Sequence, residues 1–301
     1  MPEISFLVCT YNRERFIDLS IEALCLQNIS PKRFEIIVID NNSTDNTSAK
    51  VEQLIERNNH VDIKKFSETK QGLSYARNKA IDKSKSKIVA FIDDDAIAKP
   101  DYAEKVLNFF NDHREVMAAG GKVVPQYESQ EPSWMSRYLL PLFAVIDLGN
   151  QKKFPKSKYP AGANMIFRRI VFEKYGKFNT ALGRKGSGLE SGEEKDMFFR
   201  IYKAKESVYY LPQVEVAHII PKERTTQDFI RKQAKGIGKS ENLRINKYPD
   251  KKINKFYSEL IKVGATLILS LYFILLGKKK KAKMLVLFRY WIIKSLIGKY
   301  K

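Results

Sequence analysis

The sequence predicts an α/β fold with a doubly wound, mostly parallel sheet. Its 301 residues are 44% hydrophobic and 12% aromatic, which is enough apolar surface for a packed core. In the first hundred residues, continuous runs rich in Ile and Val alternate with amphipathic stretches. Strands that are apolar on both faces are typical of a parallel sheet covered by helices on both sides.

Apolar runs and amphipathic segments make up this N-terminal part. We predict strands at 4–9, 34–39 and 87–92, and helices at 15–27, 47–58 and 72–84. Ligands of doubly wound sheets bind beyond the carboxyl ends of the strands. The polar residues that directly follow the runs are therefore candidate binding residues, namely Thr10, Tyr11 and Asn12, then Asp40, then Asp93, Asp94 and Asp95.

Residues 102–220 are predicted to complete the same domain. The pattern indicates a helix at 102–112, an apolar stretch at 116–124 and a segment rich in Trp and Leu at 134–149. A glycine-bearing segment follows at 159–169, and a glycine and serine loop that begins at 183 leads into an amphipathic helix. Residues 1–220 are thus expected to form one domain.

The positive charge is concentrated towards the C-terminal end. The net charge is +20, and residues 221–301 contribute 21 Lys and Arg against 5 Asp and Glu. Such an excess favours nucleic acid or an anionic membrane as a partner. We predict an anionic membrane surface and no nucleic acid, because the charge lies beside long apolar segments and not on a patterned basic face.

The apolar part of this tail is predicted to be helical. Segment 260–276 has 17 residues, about 25 Å as a helix and just short of the roughly 30 Å hydrocarbon core. We predict a basic helical connector at 221–255 and, at 256–301, two membrane-associating helices joined by a lysine turn. A helical pair buried on the domain is the alternative. Length leaves open whether the first helix spans the membrane or lies in it.

Cysteine usage and the N-terminus predict a cellular location. Cys9 and Cys25 are too few for a disulfide framework and lie among apolar residues, which favours a reducing compartment. The first residues show neither a basic n-region nor a small-residue cleavage site. We therefore expect the protein at the cytoplasmic face of the cell membrane, and the sequence leaves a homodimer open.

The run of three acids after the strand at 87–92 has two interpretations. In an extended chain Asp93 and Asp95 would point to one side and Asp94 to the other. Crowded carboxylates repel each other, and a divalent cation such as Mg²⁺ or Mn²⁺ relieves that repulsion. An acidic turn that caps a helix beginning near Pro100 explains the same residues equally well.

Three further residues suggest a nucleotide site. Asp40 ends a strand and could accept hydrogen bonds from a base or a ribose, whereas the nearby Asp45 suits an N-cap. Tyr11 could stack on a base, or could simply be an exposed loop residue. Arg77 could meet a phosphate or a base, or could pair with an acid on a helix face.

Six motifs in order resemble those of the family 2 glycosyltransferases with the GT-A fold. They are VCTYNRERF, IIVIDNNSTDNT, GLSYARNKAI, FIDDDAIAKPDY, YPAGANMIFRR with YGKFNTALG, and SGEEKDMFFR. The resemblance covers about residues 3–220. It implies an enzyme that transfers a sugar from a nucleotide diphosphate to an acceptor hydroxyl, with inversion and with a divalent metal.

The resemblance also implies site residues. The matching nucleotide-binding positions are Thr10, Tyr11, Asn12, Asp40 and Arg77. Asp93, Asp94 and Asp95 match the acidic metal and diphosphate motif, with Asp95 as the direct metal ligand. The sugar and acceptor pocket would be lined by Gly162, Ala163 and Asn164, although a tight turn before a strand also explains Gly162. His218 could complete the metal shell, with a packed histidine as the alternative.

The catalytic base is assigned by motif position. Inversion needs one carboxylate within reach of the acceptor hydroxyl and no covalent nucleophile. The family commonly presents Glu-Asp where this chain has Glu193-Glu194, so Glu194 is predicted as the base, and Glu193 and Asp196 are its rivals. All three acids would also suit the first turn of a helix.

These inferences predict an inverting, metal-dependent glycosyltransferase of polysaccharide biosynthesis with a lipid-linked or saccharide acceptor. One alternative is a phosphatase with Asp93 as its nucleophile, which leaves Asp40, Arg77 and the glutamate pair without roles. Another is a non-catalytic protein that binds a membrane surface. The donor base, the sugar and the acceptor are not given by these patterns.

Overall fold

The computed structural model describes residues 1–186, 192–247 and 252–298. Part of the predicted glycine and serine loop, residues 187–191, lies outside the described residues, as do residues 248–251 of the predicted connector and residues 299–301 of the predicted tail. The strands are β1 (Ile4–Thr10), β2 (Phe34–Asp40), β3 (Ile63–Ser67), β4 (Ile88–Phe91), β5 (Ala96–Ala98), β6 (Ala118–Tyr127), β7 (Met165–Arg168) and β8 (Val208–Ile220).

The helices of the described ranges follow the strands in a largely alternating order. They are α1 (Ile17–Cys25), α2 (Thr47–Arg57), α3 (Leu73–Lys83), α4 (Tyr102–Asp112), α5 (Ile170–Tyr175), α6 (Glu193–Lys203), α7 (Gln227–Lys247), α8 (Lys252–Leu275) and α9 (Lys279–Leu296). The three predicted N-terminal strands and the helices between them are therefore present.

One mixed sheet contains all of these strands, in the order β3-β2-β1-β4-β7-β6-β8-β5. β1 pairs in parallel with β2 and β4, and β2 pairs in parallel with β3. β7 pairs antiparallel with β4 and β6, and β5 pairs antiparallel with β8. The half of the sheet built from the N-terminal residues is thus the parallel half, as the apolar runs predict.

The apolar runs are buried because both faces of the sheet are covered. Along β1, Ile4, Phe6 and Val8 pack in one hydrophobic cluster, whereas Leu7 packs in a second cluster. Successive side chains of a strand point to opposite faces. Every position of β2 is buried, which explains why its run has no polar alternation.

One strand of the parallel half of the sheet, β3, was not predicted from the sequence pattern. β3 has the sequence IKKFS and lies at the edge of the sheet, where most of its side chains are partly exposed. An edge strand needs no continuous apolar run, and charged residues there discourage pairing with other chains. Its two lysines interrupt the apolar run by which a buried strand is recognised in a sequence.

The chain divides into two compact units. The first contains residues 1–126 and 144–219, and the second contains residues 127–143 and 220–301. The domain limits predicted at 220 and 255 stay a prediction. Within the described residues, one helical segment, Phe256–Leu275, is long and apolar enough to cross a membrane by length and composition, and most of it is exposed.

Candidate active site

The three acids of the sequence motif lie in a turn between β4 and β5. The carbonyl oxygen of Asp93 accepts a hydrogen bond from the Ala96 N–H at 3.0 Å, which closes the turn. The extended geometry expected for this stretch is therefore wrong. The helix-cap interpretation is wrong too, because β5 separates the acids from α4, which begins at Tyr102.

The pairing of β5 with β8 brings His218 to this turn. Ala96 lies opposite His218 in the antiparallel ladder, and the Ile219 N–H donates to the carbonyl of Asp95 at 2.8 Å. His218 Nε2 lies 3.0 Å from Asp95 Oδ1, and ligand atoms of Asp93, Asp95 and His218 lie within 4.8 Å of one another. The two carboxylates are ligands that suit Mn²⁺ or Mg²⁺, and the imidazole offers a further nitrogen ligand.

Arg13, in the loop after β1, partly neutralises the acidic turn. Its Nε lies 3.2 Å from Asp94 Oδ1, and its Nη2 lies 3.7 Å from Asp95 Oδ2. Burial nevertheless raises the pKa of Asp94 to about 7, with Arg13 opposing the shift and Asp95 adding to it. Crowded carboxylates of this kind fit a bound divalent cation.

Arg77, on α3, is buried between two glutamates of α6. Its Nη1 donates to Glu193 Oε1 at 2.9 Å, and its Nη2 donates to Glu194 Oε1 at 3.1 Å and lies 3.9 Å from Asp93 Oδ1. Burial opposes the charge, but the carboxylates of Glu194, Glu193 and Asp93 raise the pKa of Arg77 above its ordinary value. The side chain predicted to meet the nucleotide thus binds the glutamate pair.

The three candidate bases differ in their surroundings. The side chain of Glu194 is 25% exposed and that of Glu193 only 4%, whereas Asp196 pairs with Arg200 at 3.0 Å. Burial raises the pKa of Glu194 to about 7, with Arg77 opposing and neighbouring carboxylates adding to the shift. Of the three, Glu194 therefore combines access to solvent with a pKa suited to accepting a proton near neutral pH.

Gly162 lies directly against the Arg77–Glu194 pair. A Cβ atom at this position would lie 2.3 Å from Arg77 Nη2 and 2.3 Å from Glu194 Oε1. Residues Gly162–Asn164 form a 3₁₀ turn before β7, so the tight-turn interpretation of Gly162 holds as well. Glycine allows the backbone to approach the ion pair closely.

The other two predicted pocket residues are fully buried. Asn164 Oδ1 accepts a hydrogen bond from the Tyr102 hydroxyl at 2.8 Å, and its Nδ2 donates to the carbonyls of Lys122 and Val214 at 3.1 and 3.0 Å. Ala163 is also inaccessible. A pocket-lining role for Ala163 and Asn164 stays a prediction, and these contacts favour a structural role for Asn164 in joining α4, β6 and β8.

The loops after β1 and β2 hold each other in place. Asn12 has a left-handed φ of 53° and its Oδ1 accepts a hydrogen bond from the Thr44 N–H at 2.8 Å. Asp40 Oδ1 accepts from the Ser43 N–H at 3.0 Å. Asn12 and Asp40 therefore have local structural roles that the sequence did not predict. The nucleotide-binding roles of the residues in these two loops stay predictions for Thr10, Tyr11, Asn12 and Asp40.

The predicted site residues do not include Arg13. Its signal in the sequence is weak, because a single arginine in a polar loop is commonplace. The pairing of β1 with β4 brings the two strand ends together, and ligand-binding loops meet at that edge of the sheet. Only the order of the strands therefore identifies Arg13 as the partner of the acids.

Comparisons with known proteins agree with this architecture. The model of glycosyl transferase family 2 matches residues 5–176. A glucosyl-dolichyl phosphate glucuronosyltransferase of Haloferax volcanii is 28% identical over 233 residues, which cover 76% of this chain and 72% of that protein. The succinoglycan biosynthesis protein ExoM of Rhizobium meliloti is 26% identical over 234 residues, which cover 75% of this chain and 70% of that protein.

A solved structure extends the similarity to nearly the whole chain. The mannosyltransferase PcManGT from Pyrobaculum calidifontis, in complex with GDP-Man and Mn²⁺, aligns with a TM-score of 0.65 at 18% identity and covers 99% of this chain and 88% of that chain. This likeness shows the fold, which is of the GT-A type. Because the family model matches more than half of the chain, the protein is a member of glycosyl transferase family 2.

Proposed function

We propose that this glycosyltransferase moves a sugar from a nucleotide-diphosphate donor to an acceptor hydroxyl with inversion, using a divalent metal. The observation that carries the proposal is the proximity of two acidic groups with different surroundings. Asp93 and Asp95 lie beside His218, and Glu194 is held by Arg77, which itself lies 3.9 Å from Asp93. Asp93, Asp95 and His218 would bind a metal ion beside the departing diphosphate. Glu194 would accept the proton that the acceptor hydroxyl loses.

Asp93, Asp95 and His218 would hold the metal ion. When bound, the metal neutralises negative charge on the departing nucleotide diphosphate. Mn²⁺ in the complex of PcManGT, a protein of the same fold, supports Mn²⁺ or Mg²⁺ as the ion here. Arg13 contacts Asp94 and the Oδ2 atom of Asp95, whereas His218 contacts the Oδ1 atom of Asp95. Arg13 would therefore keep both acids in their orientation when the donor enters.

The loops after β1 and β2 would hold the nucleotide. Thr10, Tyr11, Asn12 and Asp40 lie in these loops, whose mutual hydrogen bonds fix their conformation. The GDP-Man bound by PcManGT supports a nucleotide sugar as the donor, without identifying the base or the sugar here. Arg77 is assigned instead to the positioning of the base, because both of its terminal nitrogens donate to glutamates.

Glu194 would act as the general base. The acceptor oxygen forms a bond to the anomeric carbon, the bond from that carbon to the diphosphate oxygen breaks, and the acceptor proton passes to Glu194. Arg77 holds Oε1 of Glu194, which orients the carboxylate. The low exposure of Glu193 and the pairing of Asp196 with Arg200 make them weaker candidates.

The acceptor is proposed to be a lipid-linked saccharide at the cytoplasmic face of the membrane. The names of the two relatives support the lipid-linked saccharide acceptor. One is a glucosyl-dolichyl phosphate glucuronosyltransferase, and the other is a succinoglycan biosynthesis protein. The exposed apolar segment Phe256–Leu275 supports a place at a membrane. Family membership favours this function over the phosphatase and the non-catalytic alternative.

A panel of nucleotide sugars tests the donor site. A ligand at 100 times its Kd stabilises the folded state by about 2.7 kcal/mol, so the correct donor should raise the Tm, and more so with Mn²⁺ than with EDTA. Asp95→Asn should abolish both the extra rise in Tm that Mn²⁺ gives and the transfer of sugar. Asp82→Asn removes an acid whose side chain is 56% exposed and should change neither. A metal-dependent increase that persists in Asp95→Asn would contradict the assignment.

A further inference from the structure

Helix α8 carries polar residues inside and apolar residues outside. Glu259 and Ser270 are 7% and 5% exposed, whereas Ile261, Ile268 and Leu275 are 73%, 71% and 77% exposed. These three apolar residues are seven positions apart, so they share one face of the helix. A surface helix of a water-soluble protein has the opposite arrangement. The outward face of α8 therefore suits an apolar environment and not water.

The polar side of α8 is fastened to α9. Arg289 Nη1 donates to Glu259 Oε2 at 3.1 Å, and Arg289 Nε lies 3.5 Å from Thr266 Oγ1. Ser270 Oγ lies 3.5 Å from the carbonyl oxygen of Ala282. These contacts make the two helices antiparallel neighbours, and separating them would break the largely buried ion pair between Arg289 and Glu259. Helices α8 and α9 are therefore expected to bind to a membrane as one packed pair.

Helix α9 is fastened in turn to α7. Ser295 Oγ donates to the carbonyl of Lys235 at 2.7 Å, and Asn242 Nδ2 donates to the carbonyl of Leu296 at 2.5 Å. A Cβ atom on Gly238 would lie 2.6 Å from Ser295 Cβ, so the helix backbones are in close contact. Helix α7 is therefore fastened to the C-terminal end of α9.

Helix α7 cannot enter the hydrocarbon core. Its exposed residues include Arg231, Lys232, Lys235 and Lys239, and charges at the centre of a bilayer are strongly disfavoured unless they face a protein interior. The end of α9 that α7 contacts must therefore stay at one face of the membrane. A spanning α8 would then carry the lysine turn at 278–281 to the opposite face, whereas basic turns favour the cytoplasmic side, where the rest of the chain is proposed to lie. The length of α8 would permit a spanning helix, but the lysine turn argues against one.

We propose that α8 lies in the plane of an anionic membrane surface, with its outward face among the lipids and with α9 and α7 behind it. This inference deepens the proposed function, on which it rests for the lipid-linked acceptor. Exposed lysines at the turn into α9, at 278–280 and 283, complement anionic headgroups. Exposed Tyr257 and Tyr272 suit the interface between lipid and water.

Fluorophores attached to single cysteines test the orientation of α8 in the full chain. The probe NBD is placed at Ile261→Cys, Ile268→Cys or Leu275→Cys, and at Lys232→Cys as the control on α7. Burial raises the pKa of Cys9 to about 12 and that of Cys25 to about 11, so both native thiols should label slowly and the unchanged chain serves as a blank. Vesicles of phosphatidylcholine with phosphatidylglycerol supply the membrane.

If α8 lies in the membrane plane, quenching should place the three probes on α8 at similar, shallow depths in the lipid. The probe at 232 should remain in water. A deep probe at 268 with those at 261 and 275 near opposite leaflets would overturn the in-plane arrangement in favour of a spanning helix. Blue-shifted emission without vesicles, together with sedimentation at twice the mass, would overturn it in favour of a dimer. Probes that do not respond to vesicles would overturn it as well.

Charge variants test the anionic partner. Each lysine near an anionic surface contributes about 1 kcal/mol, or roughly fivefold, so replacing Lys278, Lys279 and Lys280 by alanine should weaken partitioning about 100-fold. The same change at Lys232, Lys235 and Lys239, held further from the lipid, should have a much smaller effect. If the two sets of substitutions weakened partitioning into vesicles equally, the proposed orientation of α8 would be wrong. Donor-induced stabilisation, measured without vesicles, reports separately on the proposed transferase site.

Discussion

Glu193 and Glu194 are neighbours in the chain, but their surroundings differ. Arg77 contacts an oxygen of each at 2.9 and 3.1 Å, and only Glu194 keeps substantial exposure. The longer acid at this position, where the family commonly has aspartate, thus reaches the buried arginine. If Glu194 is the base, as proposed, its hydrogen bond to Arg77 would hold the longer side chain in one orientation.

Glu194→Gln should lower turnover by about 10² to 10⁴-fold, because a positioned general base contributes that much. Donor binding, measured by thermal stabilisation, should remain. In the wild type the rate should fall as the pH drops below about 7, since the raised pKa of Glu194 leaves the carboxyl protonated and unable to accept a proton there. In the variant this dependence should disappear.

Glu193→Gln is the matched comparison. It removes the charge from the more buried partner of Arg77 and should chiefly lower the free energy of unfolding, by up to about 3 to 5 kcal/mol for a broken buried pair. Its folded fraction should still lose activity as the pH falls, but the midpoint should move to lower pH, because the Glu193 carboxylate contributes to the raised pKa of Glu194. If Glu194→Gln keeps normal turnover and Glu193→Gln loses it, the base is Glu193.

Short connecting elements place several groups of this site beside the helices α3 and α6, which carry Arg77 and the glutamate pair. The turn between β4 and β5 carries the acids, and the 3₁₀ turn at Gly162–Asn164 carries the backbone against which Arg77 and Glu194 pack. The pairing of β5 with β8 delivers His218. The 3₁₀ turn and β5 have only three residues each, and their positions depend on strands from elsewhere in the chain.

Gly162→Ala should disturb the base without touching the donor site. Its Cβ would lie 2.3 Å from both Arg77 Nη2 and Glu194 Oε1, so the ion pair must shift, and a displacement of about 1 Å can cost 10²-fold in rate. We expect turnover to fall to that extent with donor-induced stabilisation kept. Gly236→Ala, where nothing lies within 4 Å of the added Cβ, is the control. Normal turnover in Gly162→Ala would show that the pair has room to adjust.

The molecule as a whole combines a unit that contains the proposed active site with a unit that carries an apolar surface. Replacing Ile261, Ile268 and Leu275 by serine should leave folding and donor binding unchanged, because these side chains are exposed and the proposed donor site lies in the other unit. Transfer to a lipid-linked acceptor in vesicles should fall with membrane binding. Undiminished transfer would show that the outward face of α8 is not needed to reach the acceptor.

Much of the parallel half of the sheet was predictable from the sequence. β1, β2 and β4 are buried on both faces, so their apolar runs are continuous and easy to recognise. β3 was not predictable in this way, because an edge strand tolerates lysines. The acids were recognisable, but their turn was not, since three consecutive aspartates are compatible with an extended chain as well.

The sequence by itself determined the alternation of strands and helices, the acidic strand end and the membership of the family, because these depend on local periodicity and on motif order. Only the tertiary structure decided that His218 joins Asp95, that Arg77 binds the glutamate pair and that α8 keeps its polar residues inside. Strand order, register and helix packing bring such distant residues together. Local patterns of polarity do not encode those pairings, because each side chain meets its partner only after the chain has folded.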